Sequence, residues 1–374
     1  MPAGAQGPEG LEAVGSVAVR TFAAQQSPQV TRTHHSMDGH HVNAMAGDGS
    51  GAPHNQFADY DELPDGHFYD PDAEYEPDPE YAATLAPDAA RQRRERVGPT
   101  GRPLPYFPIP GPLTNHGPAT IIAMCNQKGG VGKTTSTINL GAALAEYGRR
   151  VLLVDFDPQG ALSVGLGVNP MELDLTVYNL LMERGMAADE VLLKTAVPNM
   201  DLLPSNIDLS AAEVQLVSEV ARESTLQRAL KPLLADYDYI VIDCQPSLGL
   251  LTVNALTAAH KVIVPLECEF FALRGVALLT ETIEKVQERL NPELELDGIL
   301  ATMYDSRTVH SREVLARVVE AFDDHVYHTV IGRTVRFPET TVAGEPITTY
   351  ASNSVGAAAY RQLAREVLAR CHAE

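Results

Sequence analysis

The sequence predicts a single doubly wound α/β domain with a mostly parallel sheet, preceded by a disordered N-terminal extension. Three observations carry this reading. From residue 119 onward, strand-like and helix-like patterns alternate. A glycine-rich stretch, Gln127-Lys-Gly-Gly-Val-Gly-Lys-Thr-Thr135, directly follows the first apolar run. Residues 1–118 show no sustained apolar period and are rich in Gly, Pro, Ala, His and acid. The chain therefore divides into an extension, 1–118, and a folded domain, 119–374.

The extension holds sixteen acidic and seven basic residues, so it carries −9 of the chain's net −21 charge. Ten carboxylates fall between Asp59 and Glu80, interleaved with Tyr60, Phe68, Tyr69 and Tyr75. Such a segment cannot bury enough apolar surface to offset the entropy of ordering it. Two roles stay open for it: a solubilising leader, or an arm that docks on a basic partner. His34, His35, His40 and His41 have the composition of a metal cluster but sit in low-complexity sequence.

Strands are expected at 120–126, 150–155, 199–204, 238–243, 261–266, 296–303 and 325–331. Ile240-Val-Ile242 and Val262-Ile-Val264 are near-continuous apolar runs, as strands buried on both faces require. Helices are expected at 133–147, 270–290, 308–322 and 356–371. Strands alternating with helices imply parallel strands joined by crossover helices, with the ligand at the strands' carboxyl ends.

The glycine stretch falls at that end. Gly129, Gly130, Val131 and Gly132 let successive backbone N–H groups curl around an anion, and Lys133 adds a charge. Thr134 offers a hydroxyl for Mg²⁺, and Thr135 completes the cradle at the start of a helix. This is a phosphate loop of the P-loop NTPase kind, with ATP and Mg²⁺ as the expected cofactors. The plain pattern would place glycine at 127. Here Gln127 stands there and a second lysine, Lys128, follows. Asp243 closes the run Tyr239-Ile-Val-Ile and is placed to hold Mg²⁺ through its waters. Asp155 and Asp157, two apart after the second strand, share one side of the sheet edge.

These blocks resemble the ParA/Soj chromosome-partitioning ATPases of the deviant Walker A class. QKGGVGKTT, VLLVDFDPQG at 151–160, YDYIVIDCQPSLGLLTVNAL at 237–256, PLECEFFALRGV at 265–276, MYDSRT at 303–308 and SVGAAAYRQLAREV at 354–367 carry the likeness. It covers about residues 119–371. The resemblance implies an ATPase in which Asp157 orients the attacking water and Asp155 supports the magnesium shell. Lys128 would reach the phosphates of a partner subunit, so hydrolysis would depend on an ATP-driven homodimer. It also implies a cytoplasmic, nucleoid-associated protein that binds DNA nonspecifically through arginines including Arg307 and Arg336, with a ParB-like activator. Departures are Gln245 for the first of the two prolines in the family's switch segment, Arg274 for a glutamate, and Gly332, Thr334, Phe337 and Pro338-Glu-Thr-Thr in the loop bordering the adenine pocket.

Charge bears on the DNA expectation. The folded domain keeps −12 of the net charge, so a local basic patch must override the global field. Binding should be weak, about 10⁻⁴–10⁻⁶ M, and salt-sensitive. The four cysteines form no C-x-x-C pair and read as reduced thiols. No signal peptide and no apolar stretch of membrane-spanning length is expected. A MinD-like membrane-cycling ATPase would need an appended amphipathic helix, and an iron–sulfur carrier would need interfacial cysteines. An ATP-timed scaffold for a non-DNA cargo stays open, because cargo choice lives in surfaces without motifs.

Overall fold

The computed structural model describes residues 97–269 and 272–371. The carboxylate run at 59–80, the four histidines at 34–41 and Arg91–Arg96 lie outside the described residues.

Seven strands form one sheet: β1 (Thr120–Met124), β2 (Val151–Phe156), β3 (Leu193–Lys194), β4 (Met200–Leu203), β5 (Tyr239–Cys244), β6 (Lys261–Glu267) and β7 (Glu295–Thr302). Their order is β3-β4-β2-β5-β1-β6-β7. Every pairing is parallel except the two-residue β3 against β4. Helices α1 (Lys133–Glu146), α2 (Ala161–Gly165), α3 (Val177–Met182), α4 (Ala188–Val191), α5 (Leu209–Gln215), α6 (Thr225–Leu230) and α7 (Leu250–Ala258) fill the first crossovers. Then come α8 (Ala272–Arg289), α9 (Val309–Phe322), α10 (Arg336–Ala343), α11 (Ile347–Tyr350) and α12 (Val355–Cys371).

The two-residue period of the strands builds two cores. Ile121, Ala123, Leu152, Val154, Ile240 and Ile242 face one way and pack with Leu251, Ala255 and Leu256 of α7. Ile122, Met124, Val151, Leu153 and Val241 face the other way, onto Leu140 and Leu144 of α1 and Leu363 and Val367 of α12. The helix after β1 and the helix after β5 thus lie on opposite faces. Between those neighbouring strands a crevice opens at their carboxyl ends. The phosphate loop sits in it.

The expected strand at 325–331 is not a strand. Val326 forms a single parallel bridge with Ile299, and Tyr327 N–H and Ile331 N–H donate to Ile299 and Ala301 carbonyls. Between them, the N–H groups of His328 and Thr329 donate to the Glu366 carboxylate at 2.7 and 2.9 Å. A fully buried side chain of α12 has taken the donors that a ladder would use. The short β3 goes unannounced in the sequence because two residues cannot display a period.

Residues 97–118, assigned by sequence to the extension, run along the domain. Arg102 donates to the carbonyls of Asp323 and Val326, and Arg149 donates to Gly111 O at 2.8 Å. Asp238, just before β5, accepts from His116 Nδ1 at 2.8 Å, Gly117 N at 3.0 Å and Arg150 N at 2.7 Å. These anchors are polar, mostly side chain to backbone, so they leave no hydrophobic period to read. No helix among the described residues is long and apolar enough to cross a membrane.

Candidate functional site

The loop between β1 and α1 is held from three sides. Asn126, buried at the end of β1, donates to Pro265 O of β6 at 2.7 Å and accepts from Lys128 N at 2.9 Å. From β7, the Thr302 hydroxyl donates to Val131 O at 2.9 Å. Gly130 and Gly132 take left-handed backbone angles, φ 73° and 82°, which an L side chain rarely adopts. Gly132 is also the N-cap of α1, so the helix opens with its free N–H groups turned toward the loop. Gly129 and Gly130 are exposed, whereas Val131 and Lys133 are buried.

Lys133 donates to Lys128 O at 3.2 Å. The Thr134 hydroxyl donates to Asp243 Oδ2 at 2.7 Å, and the Thr137 hydroxyl lies 3.4 Å from Asp243 Oδ1. Thr135 sits one residue on, its carbonyl accepting from Asn139 at 2.7 Å. Asp155 and Asp243 are register partners on β2 and β5, and both are buried. Asp155 Oδ2 accepts from the N–H and the hydroxyl of Ser163 at 2.8 and 2.7 Å. Asp157 is half-buried, and its Oδ1 accepts from Gln159 N at 3.0 Å, closing an Asp-Pro-Gln-Gly turn with Gly160 N on Asp157 O.

Burial, reinforced by the Asp155 charge, pushes the Asp243 carboxyl up to about 8. Burial likewise lifts Asp155 to about 6, although the Ser163 hydrogen bonds pull against it. Two neighbouring acids that resist ionising in this way call for a cation. The donors beside them are hard oxygens, Thr134 hydroxyl and carboxylate, which suit Mg²⁺ held partly by water and phosphate. Among the described residues no group of three or more His, Cys, Asp or Glu could hold a metal ion alone, which is how such shared magnesium sites differ from dedicated protein cages.

The sequence-predicted residues Gly129, Gly130, Val131, Gly132, Lys133, Thr134, Thr135, Asp155, Asp157 and Asp243 thus gather at one end of β1, β2 and β5. Lys128 stands at the loop's mouth. Its ammonium lies 3.0 Å from Glu267 Oε2 and 2.6 Å from Glu269 Oε2 of its own chain. Asn126, Ser163, Glu267 and Thr302 were not singled out from sequence. Each acts through side-chain hydrogen bonds or ion pairs that leave no periodic pattern, and only the asparagine ending an apolar run was a signal of any kind. Cys125 and Cys244, buried behind the loop on adjacent strands, are free thiols with sulfurs 2.9 Å apart.

Arg307 lies on the loop before α9 and Arg336 opens α10, and the Tyr304–Gly332 bridge joins the segments leading to them, at the same end of the sheet. Each is already paired. Arg307 Nε and Nη2 bind Asp305 at 3.0 and 3.1 Å, and Arg336 binds Glu339 at 3.1 Å. Phe337 stacks edge-on against Tyr360, centroids 5.8 Å apart, fixing the start of α10. A cleft of ≈ 390 Å³ opens at the opposite, amino end of the strands, lined in part by Arg150, Lys194, Asn199 and Asp201, and it contains none of these residues.

A family model described as an AAA domain matches residues 119–296. An uncharacterized protein of Mycobacterium tuberculosis (strain H37Rv) is 68% identical over 274 residues, 73% of this chain and 86% of that protein. Among solved structures, cobyrinic acid a,c-diamide synthase from Mycobacterium smegmatis, with bound ADP and magnesium, is similar with a TM-score of 0.61 and 45% identity. The match covers 68% of this chain and 96% of that one. The sporulation initiation inhibitor protein Soj of Bacillus subtilis (strain 168) is 48% identical over 249 residues, 67% of this chain and 98% of Soj. With the expected blocks in place and such a relative matched along nearly its whole length, this chain belongs to the Soj/ParA family of chromosome-partitioning ATPases.

Proposed function

We propose that this chain is a dimerisation-dependent ATPase that partitions or positions chromosomal DNA, working in the cytoplasm on the nucleoid. One observation carries the chemistry: Thr134 and Lys133, opening α1, face a buried Asp243–Asp155 pair beneath a glycine loop. That arrangement suits a polyphosphate with a divalent cation.

In this reading, the N–H groups of Gly129 to Gly132 and the Lys133 ammonium hold the β- and γ-phosphates of ATP. Thr134 and Asp243, with Asp155 behind them, hold Mg²⁺, which offsets phosphate charge. Asp157 orients the attacking water at the mouth of the crevice. Phosphoryl transfer asks mainly for such positioning and charge. Lys128 reaches the partner subunit's phosphates, so each subunit hydrolyses ATP only within a homodimer. The dimer rides nonspecific DNA through Arg307 and Arg336 until a ParB-like protein triggers hydrolysis and release.

A second reading rests on a specific observation. Both DNA-candidate arginines are neutralised by carboxylates two or three residues away, and the folded domain is acidic. An ATP-timed scaffold for another cargo would present such a surface.

Co-sedimentation with DNA, in ATP, ADP and no nucleotide, separates the two. The partition reading expects binding in ATP alone, retention of Asp157→Ala on DNA, and release of both by moderate salt. Normal ATP-dependent dimerisation with no DNA binding in any condition would leave the scaffold.

A further inference from the structure

The lysine on which cross-subunit catalysis depends is engaged inside its own subunit. Two of the three donor positions on Lys128 Nζ are taken, by Glu269 Oε2 at 2.6 Å and Glu267 Oε2 at 3.0 Å. Glu267 ends β6, and Glu269 N–H donates to Glu267 O at 2.7 Å. That tight turn brings both carboxylates to the same side of the loop's mouth. The Glu267 side chain is only 13% exposed, and its other oxygen faces Arg333 Nη2 at 3.4 Å. One half-hidden carboxylate is therefore shared between two cations on separate segments, which fixes its position better than an isolated surface pair would. From behind, Lys133 Nζ donates to the Lys128 carbonyl at 3.2 Å, so the backbone that carries Lys128 is tied to the phosphate-binding lysine. Burial draws the Lys128 ammonium down, but the hydrogen bonds from Glu269 and Glu267 outweigh it and hold the group above its usual range.

An ammonium bound to two carboxylates cannot also extend to an anion on another subunit. We propose that Glu267 and Glu269 are positioning residues that hold Lys128 within its own subunit, so that pairing of subunits must draw the lysine out of this clasp before hydrolysis begins. The proposal rests on Lys128 acting across the interface. It adds a threshold to that reading. A partner's triphosphate is the stronger anion and wins once the subunits meet, while at low protein concentration the clasp suppresses premature turnover. The tie from Lys133 to the Lys128 carbonyl couples the two events. Phosphates that draw Lys133 toward themselves release the backbone of Lys128 as well.

The test uses the full chain carrying E267Q/E269Q, which keeps size and removes both charges. The first readout needs no activity: acetylation of Lys128 by acetic anhydride, followed by mass spectrometry, with exposed Lys231 as internal reference. Only the neutral amine reacts, so loss of the clasp should raise Lys128 labelling relative to Lys231 by roughly 3- to 10-fold, the span expected for two partly exposed ion pairs. The second readout is ATP hydrolysis against protein concentration. Its half-maximal concentration should fall by a similar factor. Because Glu267 is half-hidden, E269Q alone serves as the milder variant, and about a 2-fold change in both readouts is expected from it. Unchanged labelling and an unchanged concentration dependence overturn the clasp. Lys128→Gln, assayed alongside, keeps the two failures apart. If it hydrolyses ATP like the parent, the cross-subunit reading is wrong and the clasp falls with it. If it is inactive while E267Q/E269Q behaves as the parent, only the clasp is wrong.

Discussion

Carboxylates stand at two places near the phosphate loop, and they are balanced in opposite ways. Beneath the loop, Asp155 and Asp243 are buried side by side on β2 and β5, with hydroxyls and N–H groups for company rather than a paired guanidinium. At the rim, Asp305, Glu339, Glu267 and Glu269 each hold a cation of their own chain within 2.6–3.1 Å. The buried pair has unmet charge, so a metal–phosphate complex is favoured there without first displacing a protein cation. The rim is already neutralised locally, and any outside anion, phosphate or DNA, must first break an ion pair. The difference separates a site built to be filled from a surface built to be opened.

The largest effect should come from Lys128, the rim residue proposed to act across the subunit interface. Lys128→Gln should lower hydrolysis by about 10³-fold or more, the scale of a charge supplied in trans, while leaving nucleotide binding by the subunit intact. Single-turnover hydrolysis and fluorescent-nucleotide titration measure the two. Normal turnover would remove Lys128 from the mechanism. Asp157→Ala comes next. On the proposed role of Asp157 in orienting water, its loss should cost roughly 10²–10⁴-fold in hydrolysis and leave ATP-dependent dimers intact by sedimentation velocity.

The buried pair makes its own prediction, and its sign can be worked out. Asp243 titrates near 8 in the fold, above the ordinary 3.8 that it keeps when unfolded. Its contribution to stability is thus complete below about pH 4 and is lost as pH rises through 8, where the buried charge must form. Without nucleotide or magnesium at pH 8, Asp243→Asn should be more stable than the parent. The rise from 3.8 to about 8 makes the buried charge costly, so a higher Tm is expected for the variant, together with loss of ATPase activity. The gain should shrink at pH 6. Equal Tm values at both pH values would mean that the charge is met within the fold, and the contrast with the rim would collapse.

This same division explains what could be read from sequence. The phosphate loop, Asp155, Asp157 and Asp243 were legible because they lie at or just beyond the ends of strands that announce themselves as apolar runs, and the loop's backbone angles demand glycine at 130 and 132. The rim was not, because an ion pair such as Lys128 with Glu267 joins residues 139 positions apart and leaves no local pattern. Arg307 and Arg336 were singled out by local context as DNA candidates, but their neutralisation by Asp305 and Glu339 was not foreseen, although both acids lie within three residues. A side chain's sequence neighbours do not say which way it turns. The misread strand at 325–331 has the same origin: its pattern is apolar enough for a ladder, yet Glu366, about forty residues on, takes the hydrogen bonds.

The smallest effect tests whether the rim's neutrality restrains DNA binding. Arg307 is fully tied to Asp305 by two hydrogen bonds from a highly exposed guanidinium. A fully exposed pair of this kind contributes little, so Asp305→Asn should free Arg307 and tighten ATP-dependent DNA binding by only about 2- to 5-fold. If the freed guanidinium meets a phosphate, the slope of log affinity against log salt should steepen by about one for each added contact. Arg307→Ala should weaken binding, flatten that slope, and make Asp305→Asn silent when the two are combined. Fluorescence anisotropy on a short duplex between 50 and 200 mM salt gives all four values. Tightening without a change in slope would assign the gain to relief of general acidic repulsion rather than to Arg307. A double variant that still tightens would move the DNA-binding face away from this loop altogether, and the neutral rim would then belong to a cargo that is not DNA.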